Sequence, residues 1–264
     1  MKVPLSVVII TKNEEKRIKD CLESVCDWAE EIIVVDDEST DQTRQIVSSY
    51  TDQIFVRKME IEGRHRNWAY AKAKYDWVLS LDADERMLPE LKEEINQVLK
   101  SESGAVAFTI PRKNFIGDYW IRGAGLYPAA QLKLFRKDKF KWEEASVHPR
   151  ALLDGQCAHL KNSMLHYTYR DFGDFLHKLN NQTTLEAMKW IEVYKTDTKK
   201  AEYKMNIIHA LWRYGDRFIR AYFVKKGYCD GFIGFMVSLF ASLYQIVSYC
   251  KYWEMRRKEV RGKR

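Results

Sequence analysis

Two acidic groups, each at the carboxyl end of an apolar run, carry the most legible chemistry of this chain: Ile32-Ile33-Val34-Val35-Asp36-Asp37 and Trp77-Val78-Leu79-Ser80-Leu81-Asp82-Ala83-Asp84. In an extended Asp-x-Asp both carboxylates point to the same side, because side chains alternate with a period of two. Hard oxygen ligands disposed in this way hold Mg²⁺ or Mn²⁺ against phosphates. In an open α/β sheet the crevice beyond the strand ends receives the ligand, so carboxylates there face a substrate. The combination points to nucleotide-diphosphate chemistry.

The elements that must position these groups alternate. Leu5–Ile10 is a short, continuous, β-branched run of the kind buried in a parallel sheet, followed by polar Thr11-Lys12-Asn13-Glu14-Glu15. Ile18, Leu22 and Val25 recur at helical spacing before the strand at 31–35. Ser39-Thr40-Asp41-Gln42 offers a helix N-cap ahead of Ile46 and Val47. A strand at 53–56, a helix around 66–74 and the strand at 77–81 continue the series, which predicts a mostly parallel α/β sheet wound from the N-terminus. A helix at about 89–100 and strands near 105–110, 131–136 and 163–169 follow, with 142–148 as a loop or edge. From about 171 the pattern is helical only. The expected division is therefore a catalytic domain over 1–168 and a helical region with a basic tail over 169–264.

At 264 residues, with 46% hydrophobic residues and abundant aromatics, the chain can build one large core plus an appendage. General disorder is excluded by the same composition. The formal charge of +7 is concentrated at the end, where residues 251–264 hold seven Lys/Arg against Glu254 and Glu259. Cys21, Cys26, Cys157, Cys229 and Cys250 form no CxxC and pair with no histidine at ligand spacing, so zinc and a disulfide framework are both poorly supported. Met1-Lys2-Val3-Pro4 leads directly into strand-like sequence without an apolar leader. The catalytic part is expected in the cytosol. An acidic pair after a strand is also met in phosphoacceptor receiver domains, but there it follows the first strand. A dinucleotide-binding reading lacks its GxGxxG after Ile10.

Val7–Glu14 (VVIITKNE), Ile33–Thr40 (IVVDDEST), Arg66-Asn67 ahead of a helix and Leu79–Glu85 (LSLDADE) stand in the order and spacing of glycosyltransferase family 2. Within it the chain resembles the lipopolysaccharide or lipooligosaccharide core β-1,4-glucosyltransferases. The resemblance covers roughly the first 150 residues, and its specificity comes from the set rather than from any one motif. It implies a GT-A fold, a nucleotide-diphospho-sugar donor and a divalent cation, Mg²⁺ or Mn²⁺. The nucleobase is placed near Thr11, Asn13 and Glu14, and the Asp37 carboxylate can accept a uracil N–H. Asp84 would hold the metal, Asp82 the ribose or the metal shell, and Arg66 would assist at the diphosphate as the cation neutralises the leaving group.

Inverting transfer needs a carboxylate base for the acceptor hydroxyl. Phe140–His148 (FKWEEASVH) resembles the family's acceptor-side loop, in which an acidic residue precedes Val-His-Glu; here Pro149 stands in place of the last glutamate. Glu144 is the first candidate and Glu143 the second, with two exposed loop glutamates as the competing reading. His148 is a candidate third metal ligand or orienting group. Trp120, Arg122, Tyr127 and Trp142 are candidates to stack on, or hydrogen-bond to, an acceptor sugar. No QxxRW-type motif of processive synthases is present, which favours one sugar per acceptor.

Residues 231–250 contain no charged side chain and, as a helix, reach about 30 Å, the thickness of a bilayer core. A span would carry the basic tail outward, against the positive-inside tendency. Ser238, Ser242, Gln245 and Ser248 fall on one narrow polar stripe, which favours a helix lying in or re-entering the interface. Residues 207–226 mix apolar and basic side chains as membrane-surface helices do. An anionic membrane surface contacted through 207–264 is expected, rather than nucleic acid. A soluble helical subdomain or a dimer interface is the competing reading, and the sequence sets no oligomeric state. The expectation is an inverting, metal-dependent enzyme, peripheral or monotopic at the cytoplasmic face of the inner membrane, adding glucose from UDP-glucose to a lipid-linked core oligosaccharide. A polyprenyl-phosphate acceptor, or a non-catalytic nucleotide-sugar or lipid-binding membrane module, stays open.

Overall fold

A computed structural model describes residues 2–101, 104–145 and 149–262. The first part of the chain runs Val3–Thr11 (β1), Ile18–Glu23 (α1), Ala29–Asp36 (β2), Thr43–Val47 (α2), Ile54–Val56 (β3), Glu62–Tyr70 (α3), Trp77–Asp82 (β4), Glu85–Arg86 (β5) and Pro89–Lys100 (α4). The middle is all strand: Ala105–Ile110 (β6), Arg112–Ile116 (β7), Tyr119–Trp120 (β8), Gln131–Arg136 (β9), Phe140–Trp142 (β10), Ala151–Leu153 (β11), Gln156–His159 (β12) and Met164–Tyr169 (β13). Helices Phe172–Thr196 (α5), Thr198–Lys204 (α6), Ile207–Ile219 (α7) and Gly231–Gly262 (α8) complete it, with a wide π turn at Arg220–Val224 and a 3₁₀ turn at Gly227–Asp230 before α8.

The chain forms two compact units. One comprises residues 1–113 and 128–167, and the other 114–127 and 168–264. Relative to a continuous domain over 1–168, the segment Asn114–Tyr127 groups with the helices, because Ile116, Ile121, Phe175 and Val237 share one core.

The first unit is an α/β layer structure around a seven-stranded sheet of order β12-β6-β9-β4-β1-β2-β3. β1, β2, β3 and β4 are mutually parallel, while β9 runs antiparallel between β4 and β6. The central strands are apolar on both faces, since helices or hairpins cover each side: Val7, Ile9, Val34, Leu79 and Leu81 pack with α1 and α4, and Val8, Ile33, Val35, Val78 and Phe135 pack with α3. α4 starts with Pro89 at its first turn and turns Leu91 and Ile95 inward. The short α2 has no cap from Gln42; Asp41 instead accepts hydrogen bonds from the Thr43 N–H and hydroxyl. β12 pairs with β6 although no alternation marks it in the sequence.

In the second unit Asp171, Asp197 and Asn206 cap α5, α6 and α7 through side-chain hydrogen bonds, each worth about 1 kcal/mol. α8 packs along both α5 and α7. Ser238, Ser242 and Ser248 are buried in this packing. The polar stripe therefore turns into the protein rather than toward lipid headgroups, because small side chains let helix backbones approach closely. The helical stretch Gly227–Glu259 is, by length and composition alone, long and apolar enough to cross a bilayer.

α3 lies against the β10 strand with no room for a side chain at Gly63: a Cβ there would sit 2.2 Å from the Glu143 carbonyl oxygen. Gly63→Ala gains at most about 1 kcal/mol of helix propensity but forces backbone against backbone, an overpacking that costs about 1–3 kcal/mol. The expected outcome is a net loss of stability, read as a lower urea midpoint with an unchanged slope.

Candidate functional site

Strand register brings the acidic groups together. Thr11 of β1 pairs with Asp36 of β2, and Ile10 with Asp82 of β4, so three adjacent parallel strands end at one level. The Asp37 N–H then donates to the Thr11 carbonyl, which draws the β2 end over the β1 end. Beyond these ends lies a cavity of about 300 Å³ lined by Thr11, Lys12, Glu14, Asp37, Met59, Asp82, Asp84 and His166 among others. A larger cavity, about 700 Å³, is lined by Tyr70, Phe140, Lys141 and Leu153 among others and holds none of the candidate residues. Chemistry, rather than size, identifies the smaller one.

At one end of the smaller cavity Asp37 is almost fully buried, its carboxylate accepting from Lys12 Nζ at 2.8 Å and from the Met59 N–H at 2.8 Å. Burial alone would raise this carboxyl; the hydrogen bonds from Lys12 and Met59 overcome it and hold the group below the usual carboxylate range. The Thr11 hydroxyl beside it is buried without a partner. Glu14 is gripped by Arg17, whose Nε and Nη2 donate to its two oxygens at 2.7 and 2.8 Å. Asn13 does not line the cavity. It adopts a left-handed conformation (φ 52°) and ties the loop to the β2 end, its N–H donating to Ser39 and its side-chain oxygen accepting from the Thr40 N–H.

At the other end Asp82 is clamped between two cations, Arg66 Nη2 at 3.1 Å and Lys133 Nζ at 2.6 Å. Burial pushes its carboxyl up, but the charges of Lys133 and Arg66 win and hold it far below the ordinary range. Lys133, on the central strand β9, is buried and also donates to Glu85 at 2.7 Å. Burial pushes Lys133 toward neutrality; Asp82 and Glu85 reverse this and keep it protonated. Glu85 is fully buried, and burial holds it above its ordinary value despite Lys133.

Asp84 follows in the turn between β4 and β5. One oxygen lies 3.6 Å from His166 Nε2 and the other 3.8 Å from Arg17 Nη1. Burial would raise Asp84, but the hydrogen bond and charge of His166, with Arg17, bring it below the ordinary range. Two ligands each about 2.1 Å from one cation are about 3.0 Å apart at a right angle and further at wider angles. The Asp84–His166 separation therefore fits a shared divalent ion, and a mixed carboxylate–imidazole pair suits Mn²⁺. Among the described residues no third His, Cys, Asp or Glu completes a cluster, so water and substrate phosphate would have to supply the other ligands of a bound cation. Asp82, already neutralised on both oxygens, is less available as a ligand than the sequence suggests. His148 lies outside the described residues.

The acceptor-side candidates separate. Trp142 belongs to the first unit, its N–H and carbonyl held by the Asn67 side chain at 2.7 and 2.9 Å and its indole N–H donating to Tyr70 at 3.3 Å. Glu143 pairs with Arg150 through both oxygens, and Glu144 with Arg64 at 2.9 Å. Neither glutamate lines the cavity, and the Arg150 hydrogen bonds hold Glu143 below its ordinary range, which weakens it as a base. Trp120, Arg122 and Tyr127 belong to the second unit, where Trp120 meets Tyr127 edge-on at 5.4 Å and Arg122 stacks over Trp120 at 5.0 Å. The Arg122 and Gly123 N–H groups both donate to buried Asp230, which fixes that turn.

Lys133, His166 and Arg17 belong to none of the motifs legible in the sequence. Lys133 interrupts the run Gln-Leu-Lys-Leu-Phe-Arg, and a lone cation in the middle of an apolar central strand needs a buried counter-charge. His166 sits likewise within Met-Leu-His-Tyr. Lys133→Met leaves the fully buried Glu85 with only the more distant Arg112, at 3.7 Å, as a cation, and loss of one partner of such a pair costs about 3–5 kcal/mol. Adding Glu85→Gln should recover part of this loss in urea unfolding. His65, on α3, is buried with neither ring nitrogen hydrogen-bonded. Burial lowers its basicity, so the unfolded chain takes up a proton near pH 6.5 that the folded chain refuses. Its stabilisation is present above that pH and is lost as pH falls toward the folded value. His65→Leu should flatten the fall in stability between about pH 7 and 5, measured by urea unfolding across that range.

The family model described as Glycosyl transferase family 2 matches residues 6–153. A lipopolysaccharide core biosynthesis glycosyltransferase, LpsC, of Rhizobium meliloti is 25% identical over 98% of this chain and 96% of its own length. An uncharacterised glycosyltransferase of Rickettsia typhi is 24% identical over 96% of this chain and 88% of its own. Among solved structures, Staphylococcus aureus TarS residues 1–349 in complex with UDP-GlcNAc covers 99% of this chain and 92% of its own, with a TM-score of 0.47 and 18% identity. The matched span contains the strand ends, Asp37, Asp82, Asp84 and the two glutamates that follow β10, and the chain belongs to glycosyl transferase family 2, enzymes with a GT-A α/β catalytic fold.

Proposed function

We propose that the chain transfers a single hexose, glucose from UDP-glucose, to a lipid-linked lipopolysaccharide or lipooligosaccharide core acceptor, with inversion, aided by a divalent cation, at the cytoplasmic face of a membrane. The observation that carries this reading is the division of the cavity into a hydrogen-bonding end and a metal-fitting end. Asp37 keeps lone pairs for a uracil N–H, and the unpartnered Thr11 hydroxyl and Glu14 lie beside it. Asp82, held by Arg66 and Lys133, is oriented to accept from ribose hydroxyls, while Asp84 and His166 would hold the metal against the diphosphate. When bound, the cation supplies Lewis-acid stabilisation of the departing nucleoside diphosphate. Arg17 and Arg66 add fixed positive charge at the same end.

Glu144, with Glu143 second, is proposed as the base that deprotonates the acceptor hydroxyl. Each must exchange its arginine for that hydroxyl, because a base has to reach the proton it removes within about 3 Å. Trp120, Arg122, Tyr127 and Trp142 are proposed to receive the acceptor. The near full-length likeness to a lipopolysaccharide core enzyme supports the acceptor class, and the exposed apolar surface of the helical unit supports a membrane-bound site of action.

Purified protein given a core-oligosaccharide acceptor and a panel of UDP-sugars should transfer glucose with Mn²⁺ and stop with EDTA. Asp84→Ala should abolish the metal-dependent reaction, and His166→Ala should raise the Mn²⁺ needed for half-maximal rate at least about tenfold. Unchanged transfer by Asp84→Ala would defeat the metal assignment. Glu144→Gln should lower kcat about 10²–10⁴-fold with little change in KM; an equal loss in Glu143→Gln alone would move the base by one residue.

A further inference from the structure

The helical unit packs its small side chains inward and turns its large apolar ones outward. Gly227 and Gly234 meet so closely that a Cβ on Gly234 would lie 1.9 Å from the Gly227 carbonyl oxygen, buried Ala221 and Ser238 stand against Gly227, and Ala210 of α7 is buried too. Ile208, Leu211, Trp212 and Ile219 recur along one face of α7 at i, i+3, i+4 and i+11, and all are exposed, Ile208 by 78% and Trp212 by 62%. Within the π turn the stripe continues in Phe223 and Val224, the latter 70% exposed, and it ends on Phe232 of α8, 72% exposed. Ring contacts of Phe218 and Tyr222 with Phe235 join the turn to α8 beneath this surface. A surface helix of a water-soluble unit does the opposite, burying its apolar stripe against the core. Small residues inside and large apolar residues outside is the arrangement of helices that face lipid.

Charge identifies the occupant. Lys225 and Lys226 follow Phe223 and Val224 directly, Arg213 and Arg217 stand further round α7, and among the described residues none of the four has a carboxylate in ion-pair range; Arg220 is paired with Asp216. A second copy would set like charges against one another. Anionic headgroups would neutralise them, and cations at this level rule out a position in the hydrocarbon interior.

We propose that the outward face of α7, the turn after it and the first turn of α8 form a membrane-contact surface, inserting Ile208, Trp212, Phe223, Val224 and Phe232 among the acyl chains of a bilayer with anionic headgroups. The inference rests on the membrane-bound part of the proposed function and assigns that role to α7. α8, with its buried serines, is the strut behind it rather than a spanning or re-entrant helix.

The full-length protein should co-sediment with phosphatidylcholine vesicles containing phosphatidylglycerol and much less with phosphatidylcholine alone. Ile208→Ser/Trp212→Ser/Phe232→Ser should lose binding at least about tenfold. Arg217→Gln/Lys225→Gln/Lys226→Gln should lose about fivefold per charge. All six positions are exposed, so thermal midpoint and UDP binding should match the wild type and report intact folding. If the wild type sedimented with no vesicle, the membrane-bound reading itself would fall. If it sedimented and the apolar triple variant did so equally, this surface alone would be wrong. A lipid-free dimer that the same variant dissolves would overturn the proposal in favour of a copy-to-copy interface.

Discussion

A single buried ammonium makes the acidic edge of this sheet possible. Asp82 and Glu85 approach one another at the end of β4, and two carboxylates at that depth repel strongly when solvent cannot screen them. Lys133 reaches both from the neighbouring β9 strand, and Arg66 covers the second oxygen of Asp82. Because β9 runs antiparallel between β4 and β6, its central residue is delivered to the β4 tip from inside the sheet rather than from a loop. The cavity can therefore present acidic oxygens on a rigid support, with the compensating charge built into the core behind them.

Register does the remaining work of assembly. Parallel pairing of β1 with both β2 and β4 sets Thr11, Asp36 and Asp82 at one level, so residues far apart in the chain share one crevice without any long loop having to find it. The charges then divide by surroundings. Asp37 is satisfied by a lysine and a backbone N–H, Asp82 by two cations, and Asp84 by a histidine and a more distant arginine. Of the two carboxylates in Asp82-Ala83-Asp84, Asp84 keeps the looser partners and the greater freedom to accept a cation.

The strand–helix alternation and the two acidic strand ends were legible because they are local: an apolar run stopping at aspartates is visible without a partner. The fold class and the family followed from them. The partners of those aspartates were not legible, since Lys133 and His166 come from strands about 50 and 80 residues further on. The grouping of Asn114–Tyr127 with the helices was hidden for the same reason, as it depends on Ile116 and Ile121 sharing a core with Phe175 and Val237. The serine stripe of α8 was found correctly as a stripe, but periodicity alone does not say whether a polar face meets headgroups or a neighbouring helix. Burial of Ser238, Ser242 and Ser248 in the packing of α8 decides that in this unit.

The nine residues of α3 link both sides of the catalytic unit. Arg66 grips Asp82 on one side, while the next residue, Asn67, holds the backbone of Trp142, and Gly63 lies flush against Glu143. The charge at the end of β4 and the segment that leads from β10 into the two glutamates are thus fastened to one short rigid rod. A change of donor preference that shifts this helix cannot leave the glutamates where they were. Diversification of the enzyme is therefore constrained to alter both sides together, or to vary in loops that α3 does not touch.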